Sequence, residues 1–413
     1  MSSPYSLENA WLQQLSQSQP TLAELLARNP EEQRRLGYFH TLREICQQPS
    51  TWIRSAELMQ QSARELSLLV RGISNLALSG SGSSEFAGDC VRMVLQRELG
   101  VNVQAIAGGM LLTHGSQVVP VGRPGLMVSI ARSGDSPESV GALALVLKTE
   151  PQFRHLVLTC NRHGSLANRF REDPRVTVIA LDDRTNDRSL VMTSSFTNLV
   201  IAARFLGLMN EPARYLSICN GLSHAAAGLL REHFGTLAHV GKASFRRVLF
   251  LGSGPRFAVA REAALKMLEM TSGRVTTSCE TYLGLRHGPM SAVNEDTLIV
   301  CFLSTEPQAR AYESDVLREL AQKQLGLFRL LAGKDIPKEL ARAHDVMIPY
   351  RGRDEDELTG DELTDDNVIV LDAVVGQVLA FARCLKEGLQ PDSPSRSGVI
   401  QRVVQSFALH LPI

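Results

Sequence analysis

The sequence predicts an α/β protein with parallel sheets, its plan present twice along the chain behind a helical N-terminal extension. Three observations predict it. Short apolar runs of β type alternate with helical stretches, the pattern of a parallel sheet with crossover helices. A Gly-Ser-Gly turn follows such a run at Gly80-Ser81-Gly82 and again at Gly252-Ser253-Gly254. The interval between those turns, 172 residues, also separates the run Leu126–Ala131 from Leu298–Leu303. Two independent matches at one offset point to a duplicated domain.

Residues 1–55 are rich in Gln, Glu, Leu and Arg, lack a strand pattern and read as short polar helices. The run Ile73–Ser79 is strand-like and leads through the glycine turn into a helical stretch, Glu85–Leu99. Further β-type runs stand at Leu126–Ala131, His155–Thr159 and Val176–Leu181, with helical pattern over Ser136–Lys148 and Ser195–Leu208. In the second half Arg247–Leu251 is the first strand and Arg261–Met270 lies in the helix that follows. The expected divisions are 1–55 (helical extension), 56–215 (first domain), 216–390 (second domain) and 391–413 (a C-terminal tail closing the active site).

The 413 residues suit two or three domains at roughly 100–200 residues each. Lys and Arg number 43 and Asp and Glu 43, so net charge is zero and the basic excess of a nucleic-acid or anionic-membrane binder is missing. A small anionic ligand needs only one local pocket and stays allowed. The seven cysteines are scattered, with no C-x-x-C pair, and read as reduced, mainly buried thiols of a cytoplasmic protein. The N-terminus lacks the basic and apolar blocks of a signal peptide. The apolar stretch Val368–Leu385 is interrupted by Asp372, Gln377 and Arg383, which favours a core helix over a membrane span. Eight acidic residues fall within Asp354–Asp366; an exposed, mobile loop is the reading preferred over a metal site.

Candidate chemistry begins at Gly80-Ser81-Gly82-Ser83-Ser84. A strand-to-helix junction aims backbone N–H groups and the positive helix end into one crevice, where an anion can sit. Glu85 occupies the third glycine position of a dinucleotide fingerprint and no Gly-Lys-Ser/Thr follows, so neither that motif nor a P-loop is present. The serine hydroxyls can each donate to phosphate; the bland alternative is a polar tight turn. Arg132-Ser133-Gly134-Asp135-Ser136-Pro137-Glu138 follows the next strand. Ser136 or Asp135 can cap the helix that starts there, but capping gives no reason for Arg132 and Ser133. Two hydroxyl-rich helix starts and one arginine read as a phosphate pocket. At the 172-residue offset Arg132, Ser133 and Ser136 become Ser304, Thr305 and Gln308, so the second copy is expected to bind no phosphate there. It carries instead Glu262, Lys266 and Glu269 at i, i+4 and i+7, a spacing that otherwise marks an exposed salt-bridge stripe. With His287, in Arg286-His287-Gly288-Pro289, a partly desolvated glutamate suits proton transfer at a sugar carbon.

These blocks resemble sugar isomerase (SIS) domain proteins, in particular the AgaS-like galactosamine-6-phosphate deaminase/isomerases. The carriers are the two segments above, Asp187-Arg188 with Met192-Thr193-Ser194-Ser195, Glu262-Ala263-Ala264-Leu265-Lys266, Arg286-His287-Gly288-Pro289, and Pro394-Ser395 through Ser397-Gly398 with Arg402-Val403-Val404-Gln405. The resemblance runs from about Trp52 onward. It implies two tandem flavodoxin-like SIS domains and a homodimer whose catalytic histidine comes from the partner subunit. The chain is also similar to the isomerase half of glucosamine-6-phosphate synthase. By that likeness Ser84, Ser133 and Ser136 hold the phosphate, and Arg132, replacing a neutral glutamine, adds a charge-assisted contact. Thr193 and Ser194 fall in a further substrate loop; Ser83 and Lys266 are counted with the substrate-binding residues. Glu269 falls on the base and His287 on the ring-opening histidine. No counterpart of the synthase's glutaminase domain is expected, and its Schiff-base lysine has no match near Gln401-Arg402, so no covalent lysine intermediate is expected. Met290 stands where close relatives can carry lysine.

The expected reaction converts galactosamine 6-phosphate to tagatose 6-phosphate and ammonia, with no metal or organic cofactor. Glucosamine-6-phosphate deamination and plain aldose/ketose isomerisation are the alternatives on the same fold. A non-catalytic sugar-phosphate sensor is the alternative of another class. No nucleic-acid or membrane partner is expected.

Overall fold

The computed structural model describes residues 4–351, 363–395, 397–404 and 407–410, with side chains from Ala10 onward. Strands β1 (Asn75–Gly80), β2 (Asn102–Ala107), β3 (Gly125–Ala131), β4 (Phe153–Thr159) and β5 (Val176–Ala180) pair in the order β2-β1-β3-β4-β5. Strands β6 (Arg247–Leu251), β7 (Thr276–Glu280), β8 (Thr297–Phe302), β9 (Phe328–Gly333) and β10 (Val346–Pro349) pair as β10-β9-β8-β6-β7. The pairings are parallel, and read from β7 the second order repeats the first. This is the flavodoxin-type order, whose switch point lies between the first and third strands of each copy.

The offset of 172 residues survives in detail. It carries the start of β1 onto that of β6 and the start of β3 onto that of β8. It also carries the helix Ser83–Leu99 onto Pro255–Met270, with both starts coincident. The turns match in backbone angle: Gly82 has φ 57° and ψ −127°, Gly254 φ 55° and ψ −130°, a region that glycine enters without strain. Gly80 and Gly252 are needed for closeness, since a Cβ on either would stand 2.4 Å from backbone of the helix start four residues on.

Strand and helix positions expected from pattern are found within a few residues. The helix of the second copy begins at Pro255, six residues before the expected stretch, because Pro255 suits a first helical position. β2, β7 and β10 are edge strands whose residues are largely half-exposed, so they carry no apolar run to announce them. β9 is buried, and pattern does not place it either.

The chain divides into two compact units. The copy-one unit comprises Ser50–Asp187, Ser194–Cys219 and Gly398–Ile413. The copy-two unit comprises Met1–Pro49, Arg188–Thr193 and Asn220–Ser397. In the copy-two unit the N-terminal helices are tied down by polar bonds: Asp392 accepts from the amides of His40 and Thr41 and from the Thr41 hydroxyl, and Glu44 from the amides of Arg188 and Ser189. The same unit is built around the helix Asp365–Lys386. By length and composition it could cross a membrane, but 94% of its most apolar window is buried. The three polar residues that interrupt it are each bonded. Asp372 meets Arg256 and Tyr350, Gln377 meets Gln48 and the Thr193 carbonyl, and Arg383 donates to the carbonyls of Ala243 and Phe245.

Six of the seven cysteines are buried, and Cys279 is half-buried. Burial pushes Cys160, Cys219 and Cys301 up to about 12, so these thiols stay protonated and inert. The acidic segment Asp354–Asp366 lies largely outside the described residues. Among the described residues no cluster of metal-ligating side chains occurs.

Candidate functional site

In the copy-one unit β1 and β3 are neighbours, so the turns that leave them open onto one sheet edge. Ser83 and Ser84 form the first turn of the helix after β1 and are buried, 5% and 6% exposed. Arg132 follows β3 and is 7% exposed, while Ser133 and Ser136 are half-buried. A buried guanidinium with serine hydroxyls at two helix starts is a donor set suited to a phosphate. The Ser133 hydroxyl accepts from the Asp135 amide at 3.2 Å. The capping expectation needs correction. Ser136 occupies the N-cap position, yet its hydroxyl donates to the Glu138 carboxylate and makes no cap bond. Asp135 points away, accepting from the amide and hydroxyl of Ser165.

Arg132 donates to the carbonyl of Arg402 at 2.6 Å. Arg402 in turn donates to the Asp187 carbonyl at 2.7 Å and to Asn186 Oδ1 at 2.6 Å. Asp187 accepts from the Ser195 amide and hydroxyl, fixing the start of the helix Ser194–Leu208. Arg402 and Asp187 were visible in the sequence as motif residues, but nothing local assigned them a role; only the fold joins positions 215 residues apart. Ser194 is fully buried, and Asn198 donates to its hydroxyl at 3.1 Å. Thr193 is likewise buried and belongs to the copy-two unit, where its carbonyl accepts from Gln377.

The acid–base candidates stand in the copy-two unit. Glu262, Lys266 and Glu269 share one face of the helix Pro255–Met270, as their spacing requires. That face is no solvated stripe: the side chains of Glu262 and Lys266 are each 1% exposed. Lys266 Nζ lies 2.5 Å from Glu269 Oε2 and 3.4 Å from Glu262 Oε1, while Glu269 reaches the surface at 23% exposure. A buried ammonium therefore holds an accessible carboxylate in place. Lys266, counted from sequence with the substrate-binding residues, has the base candidate as a partner. His287 is exposed and follows the short helix Tyr282–Leu285 beyond β7, which pairs with β6. Among the described residues no hydrogen bond or ion pair joins His287 to Glu269.

Two flavodoxin-order sheets, an oxyanion-type donor set in one copy and a lysine-held glutamate in the other define a SIS-domain protein. No family model matches the chain. An AgaS protein of Streptomyces coelicolor is 35% identical over 379 residues, covering 90% of this chain and 95% of its own length. The D-galactosamine-6-phosphate deaminase AgaS of Shewanella sp. is 30% identical over 388 residues, covering 92% and 94%. Among solved structures, the tagatose-6-phosphate ketose/aldose isomerase from Escherichia coli matches with TM-score 0.78 and 28% identity, over 89% of this chain and 97% of that one. The chain belongs to the AgaS galactosamine-6-phosphate deaminase family.

Proposed function

We propose that this protein converts galactosamine 6-phosphate and water to tagatose 6-phosphate and ammonia. The reading is supported by the family and by one observation above others: Glu269, partly exposed, is held by the buried Lys266. His287 opens the pyranose ring. Glu269 takes the proton from C2 and returns it to C1, so the 2-amino aldehyde becomes a C1 alcohol with an imine at C2. Water adds to that imine and ammonia leaves, giving the ketose. A proton shift beside a carbonyl needs a base and an acid held in place, and a positioned base contributes roughly 10²–10⁴-fold. Ser83, Ser84, Arg132, Ser133 and Ser136 grip the phosphate, whose binding energy orients C1 and C2. Thr193 and Ser194 act as substrate-loop residues.

The reading carries with it a homodimer in which each site takes His287 from the partner subunit. It also carries a cytoplasmic setting, in keeping with scattered cysteines that show no C-x-x-C pair.

The test is ammonia release from galactosamine 6-phosphate and from glucosamine 6-phosphate. Faster release from the galacto epimer is expected. Binding of either sugar phosphate with no ammonia from either would replace the deaminase by a sensor. Ketose formation without ammonia from a 2-hydroxy aldose phosphate alone would make it a plain isomerase.

A further inference from the structure

We infer that the loop after β8 is a complete oxyanion seat of the second copy, kept filled by the chain's own Asp365 carboxylate. The inference rests on the duplication and not on the proposed reaction, so either can fail alone.

At the 172-residue offset, Ser84 becomes Arg256, Arg132 becomes Ser304 and Ser133 becomes Thr305. The inventory of the first copy is thus kept with its positions exchanged: the arginine has moved from the strand end to the glycine-turn helix, and a hydroxyl has moved the other way. Residues judged from sequence to have lost the chemistry still converge on an anion. Asp365 Oδ1 accepts from the Thr305 amide at 2.7 Å and from the Thr305 hydroxyl at 3.1 Å. The Ser304 hydroxyl donates to Asp365 Oδ2, and Arg256 Nη1 lies 3.7 Å from Oδ1. Ser304 and Arg256 are fully buried and the Asp365 side chain is 10% exposed. The position that precedes Asp365 by 172 residues is Thr193, in the proposed substrate loop of the first copy.

An acid at a helix start is ordinary, and Asp365 does open the helix Asp365–Lys386. A capping role accounts for the bond that the Asp365 amide donates to the Thr305 hydroxyl at 3.1 Å, but the Asp365 carboxylate itself accepts from that loop, through two hydroxyls and an amide, with a guanidinium alongside. Both carboxylate oxygens are engaged from outside the helix, as the oxygens of a bound oxyanion are. The seat therefore takes a small oxyanion, here a covalently attached one, and leaves the wild-type chain no vacancy for a second phosphate at this place.

Emptying the seat tests this. Asp365→Ala should lower the melting temperature by several degrees. Formate or inorganic phosphate at tens of millimolar should raise it again, relative to chloride at equal ionic strength, by more than either raises wild type. Adding Thr305→Val should abolish that rescue. If the alanine variant is insoluble, Asp365→Asn serves: it keeps the shape, should melt lower than wild type and, with its amide still in the seat, should respond to neither anion. Equal anion responses in Asp365→Ala and wild type would overturn the inference, as would an Asp365→Asn variant melting with wild type.

Discussion

The loop after β3 and the loop after β8 are the same piece of fold twice, and they differ in where their anion comes from. In the first copy Arg132, Ser133 and Ser84 stand at a sheet edge as the proposed grip for a substrate's phosphate. In the second, Arg256, Ser304 and Thr305 close on Asp365. Duplication has preserved backbone geometry to within a few degrees at Gly82 and Gly254, while the side chains around the two loops differ. One copy is left with a seat, the other with a sealed core and a lysine-held glutamate. The difference teaches that a lost binding motif can persist as structure, with its ligand converted into a side chain.

The comparison breaks hardest at Arg256. Its guanidinium is fully buried, bonded to Asp372 at 2.6 Å and 2.8 Å. Arg256→Met should cost about 3–5 kcal/mol in denaturant unfolding, because it strands two carboxylates in a desolvated site. Ser84→Ala, the same position in the first copy, should cost about 1 kcal/mol at most in that assay and should raise KM. Equal losses of stability would mean that the two loops share one role.

Two buried groups, one in each unit, should respond to pH with opposite sign. Burial pushes Glu313, in the copy-two unit, up to about 7 from its usual 4.5. Its folded state therefore holds a proton that the unfolded state releases, and the stability it brings is lost as pH rises from about 4.5 through 7. His155, buried in β4 of the copy-one unit, is pushed down to about 4 from 6.5, burial being the main cause and the Arg175 charge a second. It must be buried neutral, so its stability is lost as pH falls from about 6.5 to 4. Each arm is on the order of 3 kcal/mol. Between pH 4.5 and 6.5, Glu313→Gln should leave a stability that rises with pH, and His155→Leu one that falls. Parallel slopes in the two variants would show that neither buried group governs the pH response.

The smallest effect sharpens the reading of the glutamate. Lys266→Met should lower kcat about 10–100-fold, the loss of a hydrogen bond to a charged group, of about 1.5–3 kcal/mol. Its KM should change less, since the ammonium holds the proposed base in place. A rise in KM at constant kcat would return Lys266 to direct contact with substrate.

Much of this was legible in the chain. The strand–turn–helix units around Gly80 and Gly252 are punctuated by glycines that only a close backbone approach explains, and the repeat offset follows from them. Arg132 and Ser133 stood out because helix capping left them unexplained. The face formed by Glu262, Lys266 and Glu269 was legible as a face; its burial was not, because a charged i, i+4 pattern looks the same on a solvated helix. Edge strands such as β2 and β7, largely half-exposed, carry no periodic signal strong enough to place them. Asp365 was hidden for a physical reason: its donors lie sixty residues away, and the acidic run before it reads as solvated chain.

The division of labour between the copies is the central claim, and steady-state ammonia release from galactosamine 6-phosphate tests it most directly in two variants measured side by side. The account predicts that Arg132→Met lowers kcat/KM about 10–100-fold, mostly as a rise in KM, through loss of about 1.5–3 kcal/mol of charge-assisted phosphate contact. It predicts that Glu269→Gln keeps KM and loses kcat by roughly 10²–10⁴-fold. An Arg132→Met enzyme with unchanged KM, or a Glu269→Gln enzyme with full turnover, would contradict it.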